Sequence, residues 1–326
     1  MGSPIEKHFD TARELLDFVS PLSHAWSKGK YIFRGQASDR YKLTPSICRS
    51  GVGSFAYGSP HRMFSSSTRG QVSFELDVLM KFLDGCDRSG LVVPGYSEQI
   101  KTRLLHEPES FTNAFRQSWP QPALYEILAA AQHYGVPTRL LDWTERSYVA
   151  CYFAASSANF ELDSVNAKLA IWALSTEYSK CWKTVEIIRT PGGTSRNQAA
   201  QSGLFTTHKV DAFILPADDL YQPEALEDVE EIYNTTQTVA PLIKLTLPVS
   251  EAPELLNLCS KLGVDASTLF PGYHGVAMMV RDWASVAVGV RMSPSALGKL
   301  RTSYSSSGNG RLGNAEKPDF QTLIIG

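Results

Sequence analysis

Gln132-His133-Tyr134-Gly135-Val136-Pro137-Thr138-Arg139-Leu140-Leu141-Asp142-Trp143-Thr144 is the stretch from which the remainder of the chain is best read. The apolar run from Ala123 to Tyr134 predicts a helix that stops at Gly135, with Pro137 two residues further on. Thr138 to Leu141 then reads as a short apolar strand, and Ser147 to Asn159 as a nearly charge-free helix. This order of helix, stop and strand brings an imidazole, a guanidinium, a carboxylate and a hydroxyl close together. Alternation along the strand assigns Arg139 and Leu141 to one face and Leu140 and Asp142 to the other. The plain alternative is capping, with His133 at a helix C-terminus and Asp142 at the start of the next helix.

Upstream, Leu15, Leu16, Val19 and Leu22 recur at helical spacing between Phe9 and Trp26, with Thr11 as cap and Glu14 three residues later. Tyr31-Ile32-Phe33 reads as a strand broken at Gly35, so Arg34 stands at a strand end. Gly51 to Arg69 reads as a Gly- and Ser-rich loop. A helix carrying Phe74, Leu76, Val78, Leu79 and Phe82 follows, ending near Gly85, and another is predicted at Tyr96 to His106. Downstream, strands are predicted at Lys168 to Leu174, near Ala212 to Leu215 and at Leu242 to Leu247. A helix is predicted at Ala252 to Leu262, and an apolar helix or strand around Gly275 to Val290. The pattern predicts a single mixed α+β domain over residues 9–300, with short strands surrounded by helices. Residues 1–8 read as a leader or expression-derived segment. Residues 301–326 read as a flexible linker, centred on Ser303 to Pro318, and a terminal strand or tail at Phe320 to Ile325.

Of 326 residues, 43% are hydrophobic and 20% charged, which excludes global disorder. Lys and Arg number 31 against 33 Asp and Glu, leaving a net charge of -2, so bulk attraction to nucleic acid or an anionic membrane is not expected. The charge-free stretch Ala266 to Val280 is too short and too interrupted to cross a bilayer. Cys48, Cys86, Cys151, Cys181 and Cys259 are scattered and never paired as CxxC, which fits a reducing cytoplasm and argues against a thiolate zinc site. His61, His106, His133, His208 and His274 lack metal-ligand spacing, and no metal is expected. Pro191 to Arg196 lacks the Walker spacing and reads as an exposed turn, with Arg196 available for a phosphate contact. The acidic run Glu227-Asp228-Val229-Glu230-Glu231 reads as a solvated helix face.

Phe33-Arg34-Gly35, Leu43-Thr44-Pro45-Ser46, the central QHYGVPTRLLDWT and Gln201-Ser202-Gly203-Leu204-Phe205-Thr206 together resemble the FRG-domain family, with Leu269-Phe270-Pro271-Gly272 similar to its closing segment. The resemblance covers roughly Tyr31 to Gly275. The aromatic-Arg-Gly triplet at the end of an early strand is also similar to the first motif of arginine-type ADP-ribosyltransferases. That similarity implies a fold of their type, with Arg34 and the adjacent Gly35 holding NAD.

In such enzymes the arginine grips the NAD pyrophosphate and ribose, a task for a planar, always-charged fork. Rupture of the nicotinamide glycosidic bond develops oxocarbenium charge and needs a carboxylate. No late Glu-x-Glu or Gln-x-Glu triplet is present, so Asp142 takes that role here, with Glu145 second. What the resemblance implies is an ADP-ribosyltransferase or NAD glycohydrolase, in the setting of a bacterial toxin or phage-defence effector, with NAD as substrate and a protein or nucleic acid as acceptor. The candidate residues are Asp142, His133 and Gln201 for catalysis, and Arg34, Gly35, Arg139 and Thr144 for the nucleotide. Two other readings stay open: a noncatalytic protein- or nucleic-acid-recognition module, and a structural ion-pair network of Arg34, Arg139 and Asp142.

Overall fold

The computed structural model describes residues 2–27, 29–49, 67–107, 118–158, 167–192, 195–210, 223–234 and 239–292. In chain order the regular elements are β1 (Ile5–His8), α1 (Ala12–Val19), β2 (Tyr31–Gln36), α2 (Thr68–Arg88), α3 (Glu98–His106), α4 (Tyr125–His133), β3 (Leu140–Thr144) and α5 (Ser147–Ser156). They continue with β4 (Lys168–Ser175), β5 (Val185–Ile188), α6 (Arg196–Gln201), β6 (Gly203–His208), β7 (Leu242–Pro248), α7 (Ala252–Lys261), α8 (Ala266–Leu269) and α9 (Tyr273–Met292). The strands form one seven-stranded sheet in the order β1-β7-β4-β2-β3-β6-β5, antiparallel except for the parallel edge pair β1 and β7. This is the α+β architecture expected from the sequence.

Two groups of helices cover one face of the sheet. Helices α1, α5 and α7 bury Leu15, Val149, Ala154 and Leu255 against Phe33, Leu169, Ile171 and Leu245 of β2, β4 and β7. Helices α2, α3 and α4 bury Leu79, Leu104 and Ile127 against Leu140, Ile188 and Phe205 on β3, β5 and β6. Another cluster joins Ile32, Leu141, Trp143, Trp172 and Leu204 to Leu43 and to the irregular segment carrying Leu226, Val229 and Ile232. Each fully buried aliphatic side chain of this kind contributes roughly 1.5–3 kcal/mol.

The seam between the two helical groups lies where β2 meets β3. These strands share a single registered pair, Phe33 with Thr144, whereas β2 pairs with β4 from Tyr31 to Gln36 and β3 pairs with β6 over its whole length. Beyond Phe33 the two central strands therefore part. Gly35 sits at this point because a Cβ there would stand 2.0 Å from the carbonyl oxygen of Ala150 and 2.6 Å from the amide nitrogen of Ala154, so helix α5 can lie directly on β2 only over a glycine.

Several expectations shift. Ile5–His8, read as a leader, is an edge strand in register with Ile243 to Thr246. Strand β3 begins at Leu140 rather than Thr138, because the Thr138 amide donates to Ser46 Oγ and its carbonyl accepts from Ile47, leaving neither group for the ladder. The acidic run is not a solvated helix face. Glu227 accepts from the Leu43 amide, Glu231 from the amides of Lys183, Thr184 and Val185, and Asp228 pairs with Lys42 at 2.9 Å. The region of Gly275 to Val290 is helical, and α9 is docked by the Tyr152 hydroxyl donating to Asp282 at 2.7 Å. The strand expected near Ala212 to Leu215, most of the loop at Gly51 to Arg69 and the segment 301–326 lie outside the described residues.

Candidate functional site

The parting of β2 and β3 opens a cavity of about 400 Å³ on the helical face, lined by residues from both helical groups. Strand β2 contributes Phe33, Arg34 and Gly35, and β3 contributes Asp142, Trp143 and Thr144. His133 comes from the end of α4, Phe153 from α5, Asn197 and Gln201 from α6, and Phe270 and His274 from the C-terminal segment. Six of the seven residues singled out in the sequence thus share one cavity: Arg34, Gly35, His133, Asp142, Thr144 and Gln201.

Arg34 occupies the gap between the strands. Its Nη1 donates to the Asp142 carbonyl oxygen at 2.7 Å and lies 3.5 Å from the Asp142 carboxylate. Its side chain is 14% exposed, against 60% for Asp142, so a buried cation faces a largely solvated anion. The Arg34 Nε is buried and makes no hydrogen bond. Burial pulls the Arg34 guanidinium below its ordinary value. Asp142 opposes that shift, and the positive charge of Arg49 adds to it. An orphaned guanidinium donor beside a cavity is the arrangement that an anion completes.

His133 Nε2 lies 3.1 Å from Asn197 Nδ2 and 3.5 Å from Ser195 Oγ. Burial lowers its pKa and the nearby Asp142 charge raises it, with burial dominating, so the ring is neutral at pH 7. With the Asn197 amide nitrogen donating, Nε2 accepts and the ring proton sits on Nδ1. A neutral imidazole beside a carboxylate is equipped to accept a proton.

Gln201 and Thr144 hold the wall together. The Thr144 hydroxyl donates to the Gln201 carbonyl at 2.7 Å and accepts from the Arg146 amide at 3.0 Å. Gln201 Nε2 donates to the Leu269 carbonyl at 3.1 Å, which fixes the adjoining Phe270 edge-on to Phe153 with ring centroids 6.1 Å apart. Gln201 therefore secures the aromatic wall rather than standing free to grip ribose. Gly275 completes the closure: a Cβ there would lie 1.9 Å from the Phe270 carbonyl oxygen, so α9 starts directly against the chain that carries Phe270.

Arg139 is the exception. It is 4% exposed and lies away from the cavity, its Nε donating to Glu75 Oε2 at 2.9 Å and its Nη2 to Glu75 Oε1. The same carboxylate accepts from Trp119 Nε1 at 2.7 Å and from Gln71 Nε2 at 3.0 Å. Arg139 is therefore a core ion-pair residue, but its partner is Glu75 on α2 and not Asp142, so it forms no network with Arg34 and Asp142, and strand alternation does not reveal that partner. Glu145 is paired with Arg189, and Arg196 is exposed outside the cavity lining. Among the described residues no His, Cys, Asp and Glu cluster could hold a metal, and no helix is long and apolar enough to cross a membrane.

Sequence reasoning missed Phe153, Asn197, Phe270 and His274. Phe153 reads as ordinary core from its helical spacing, and Asn197 carries no motif. Phe270 lies within Leu269-Phe270-Pro271-Gly272, whose signal was one of resemblance and not of chemistry.

Residues 29–162 match the sequence model of a family described as FRG domain. The matched span runs from just before β2 to just beyond α5 and includes Arg34, Gly35, His133, Asp142 and Thr144. Gln201, Phe270 and His274 fall outside it. Searches among curated proteins and among solved structures return no match to the chain.

Proposed function

We propose that this chain, which carries an FRG domain, binds a nucleotide in the Arg34–Asp142 cavity and cleaves the N-glycosidic bond of NAD, passing ADP-ribose to water or to an acceptor hydroxyl. The observation that carries the reading is that Arg34, a largely buried guanidinium whose Nε has no hydrogen-bond partner, lines one cavity together with a carboxylate and a neutral imidazole. In this scheme the guanidinium holds phosphate through charge-assisted hydrogen bonds. Phe33, Phe153 and Phe270 offer apolar surface to an aromatic ring.

As the bond between the ribose anomeric carbon and the nicotinamide nitrogen breaks, its electron pair leaves with nicotinamide, and the Asp142 carboxylate stabilises the oxocarbenium charge that develops. Oxygen from water or an acceptor hydroxyl then bonds to the same carbon, and its proton passes to His133 Nε2, which gives up its bond from the Asn197 amide to take it. Catalysis of this kind needs no metal. NAD and ADP-ribose titrated into the purified protein should bind, and nicotinamide should appear on incubation with NAD. Asp142→Asn should retain binding and lower turnover by about 10²–10³, the scale on which one electrostatic stabiliser acts. Absence of both binding and nicotinamide release in the wild type would overturn the reading.

A further inference from the structure

Helix α9 is apolar on two faces. One packs on the domain: Gly275 lies against the Phe270 carbonyl, Met278, Met279 and Val286 rest on the cluster built by α1, α5 and α7, and Asp282 accepts from the Tyr152 hydroxyl at 2.7 Å. The other face holds Tyr273, Val276, Val280 and Trp283, spaced by three and four residues, with exposures of 97%, 46%, 52% and 70%. Ala277 and Ala284 lie on the same side and are also exposed, and the charged residue at its border is Arg281. A surface helix ordinarily turns charged and polar side chains outward. Single exposed apolar residues need no explanation, but two aromatics and two valines in one stripe over about three turns form a patch that marks a contact.

We propose that this stripe is the surface by which two copies of the chain associate, α9 against α9, antiparallel about a two-fold axis through Val280. A contact between identical chains must be self-complementary, and the stripe is. With Val280 on the axis, residues equally far from it on either side come together. Trp283 of one copy lies on Val276 of the other, Ala277 faces Ala284, and Tyr273 reaches Ala287, so each bulky side chain meets a smaller one and the alanine pair lets the helices approach. At these exposures the four large side chains present on the order of 500 Å² per copy. Two copies therefore cover about 1,000 Å², the area at which a specific interface begins. Tyrosine and tryptophan are also the side chains that anchor such contacts. The inference is independent of the nucleotide reading, although the same helix gives His274 to the cavity.

The test is sedimentation equilibrium on the full chain, as wild type, Trp283→Glu and Tyr273→Glu. Both side chains are exposed, so the variants should fold, and thermal melting checks this. Wild type should form a dimer, and Trp283→Glu should weaken it by at least about thirtyfold, the scale on which one aromatic anchor acts. Val280→Cys in a Cys181→Ser background, where the remaining cysteines are buried, should give a disulfide-linked dimer on mild oxidation, because a residue on the axis meets its own copy. Val92→Cys, exposed away from the stripe, should not. A wild type that stays monomeric at every concentration reached overturns the proposal, whether hydroxyl-radical footprinting finds Tyr273 and Trp283 open to solvent or covered by another stretch of the same chain. A dimer that both glutamate variants leave unchanged overturns it equally.

Discussion

Arg34 Nη1 donates to the backbone carbonyl of Asp142 across 2.7 Å at the point where β2 and β3 cease to pair, so a side chain replaces a rung of the ladder. The bond fastens the two halves of the sheet on either side of the cavity, while Nε stays buried without a hydrogen-bond partner. Arg34→Lys keeps the charge but cannot both bridge to that carbonyl and present a planar fork. It should lower unfolding free energy by about 0.5–1.5 kcal/mol in urea titrations and weaken ADP-ribose binding by at least about tenfold.

Gly35→Ala should be far more damaging, although it adds one methyl group. The new carbon would sit 2.0 Å from the Ala150 carbonyl oxygen and 2.6 Å from the Ala154 amide nitrogen, both backbone atoms of α5 that no rotamer can move aside. Helix and strand must separate, disturbing the cluster built on Phe33, Val149 and Ile171. A loss of about 3 kcal/mol or more is expected, read as a depressed thermal midpoint or failure to accumulate folded protein.

Arg139 and Glu75 provide the contrast between stability and binding. Arg139→Met alone should cost about 3–5 kcal/mol because it strands a buried carboxylate. The double variant Arg139→Met with Glu75→Gln should recover much of that loss in denaturant titrations, since the neutral amide so introduced can still accept from Trp119 and bond Gln71. Its ADP-ribose affinity should match wild type. A binding defect in the folded double variant would return Arg139 to the site.

His133 predicts a pH signature. Its folded pKa lies below the ordinary 6.5, because burial outweighs the attraction of Asp142. The unfolded chain therefore takes up a proton first as pH falls. The stability contributed by the neutral ring is complete above pH 6.5 and is lost as pH drops through the folded value. Wild type should lose more stability than His133→Gln on going from pH 7 to below 6.5, a difference that also cancels the similarly lowered His208. Nicotinamide release should fall over the same interval. Equal acid sensitivity in the two proteins would show that His133 titrates freely.

Much of the architecture is legible in the chain because local rules carry it. Thr11 caps α1 by accepting from the Glu14 amide, and Gly135 ends α4 with φ at +83°. The apolar runs of β4 and β7 fall within a residue of their expected bounds. The cavity was readable where motif residues end regular elements, as with Arg34, His133 and Asp142. Strand parity assigned Arg139, but parity holds only inside a ladder, and Arg139 precedes the first rung at Leu140. Its true partner is Glu75, 64 residues earlier, and Thr138 is drawn out of the strand by its bonds to Ser46 and Ile47, about 90 residues earlier. Such meetings depend on tertiary registration, which has no local period to betray it.

The triplet Phe33-Arg34-Gly35 carries three separate demands, only one of them chemical. The ring seals the layer beneath α5, the guanidinium lines the cavity and would meet the proposed nucleotide, and the missing side chain lets two main chains touch. A variant library sorted for folding alone would hold the first and third letters fixed while the second drifted, and one sorted for ligand capture would fix all three. Comparing the two outcomes would divide the motif into what builds the vessel and what it is built to hold.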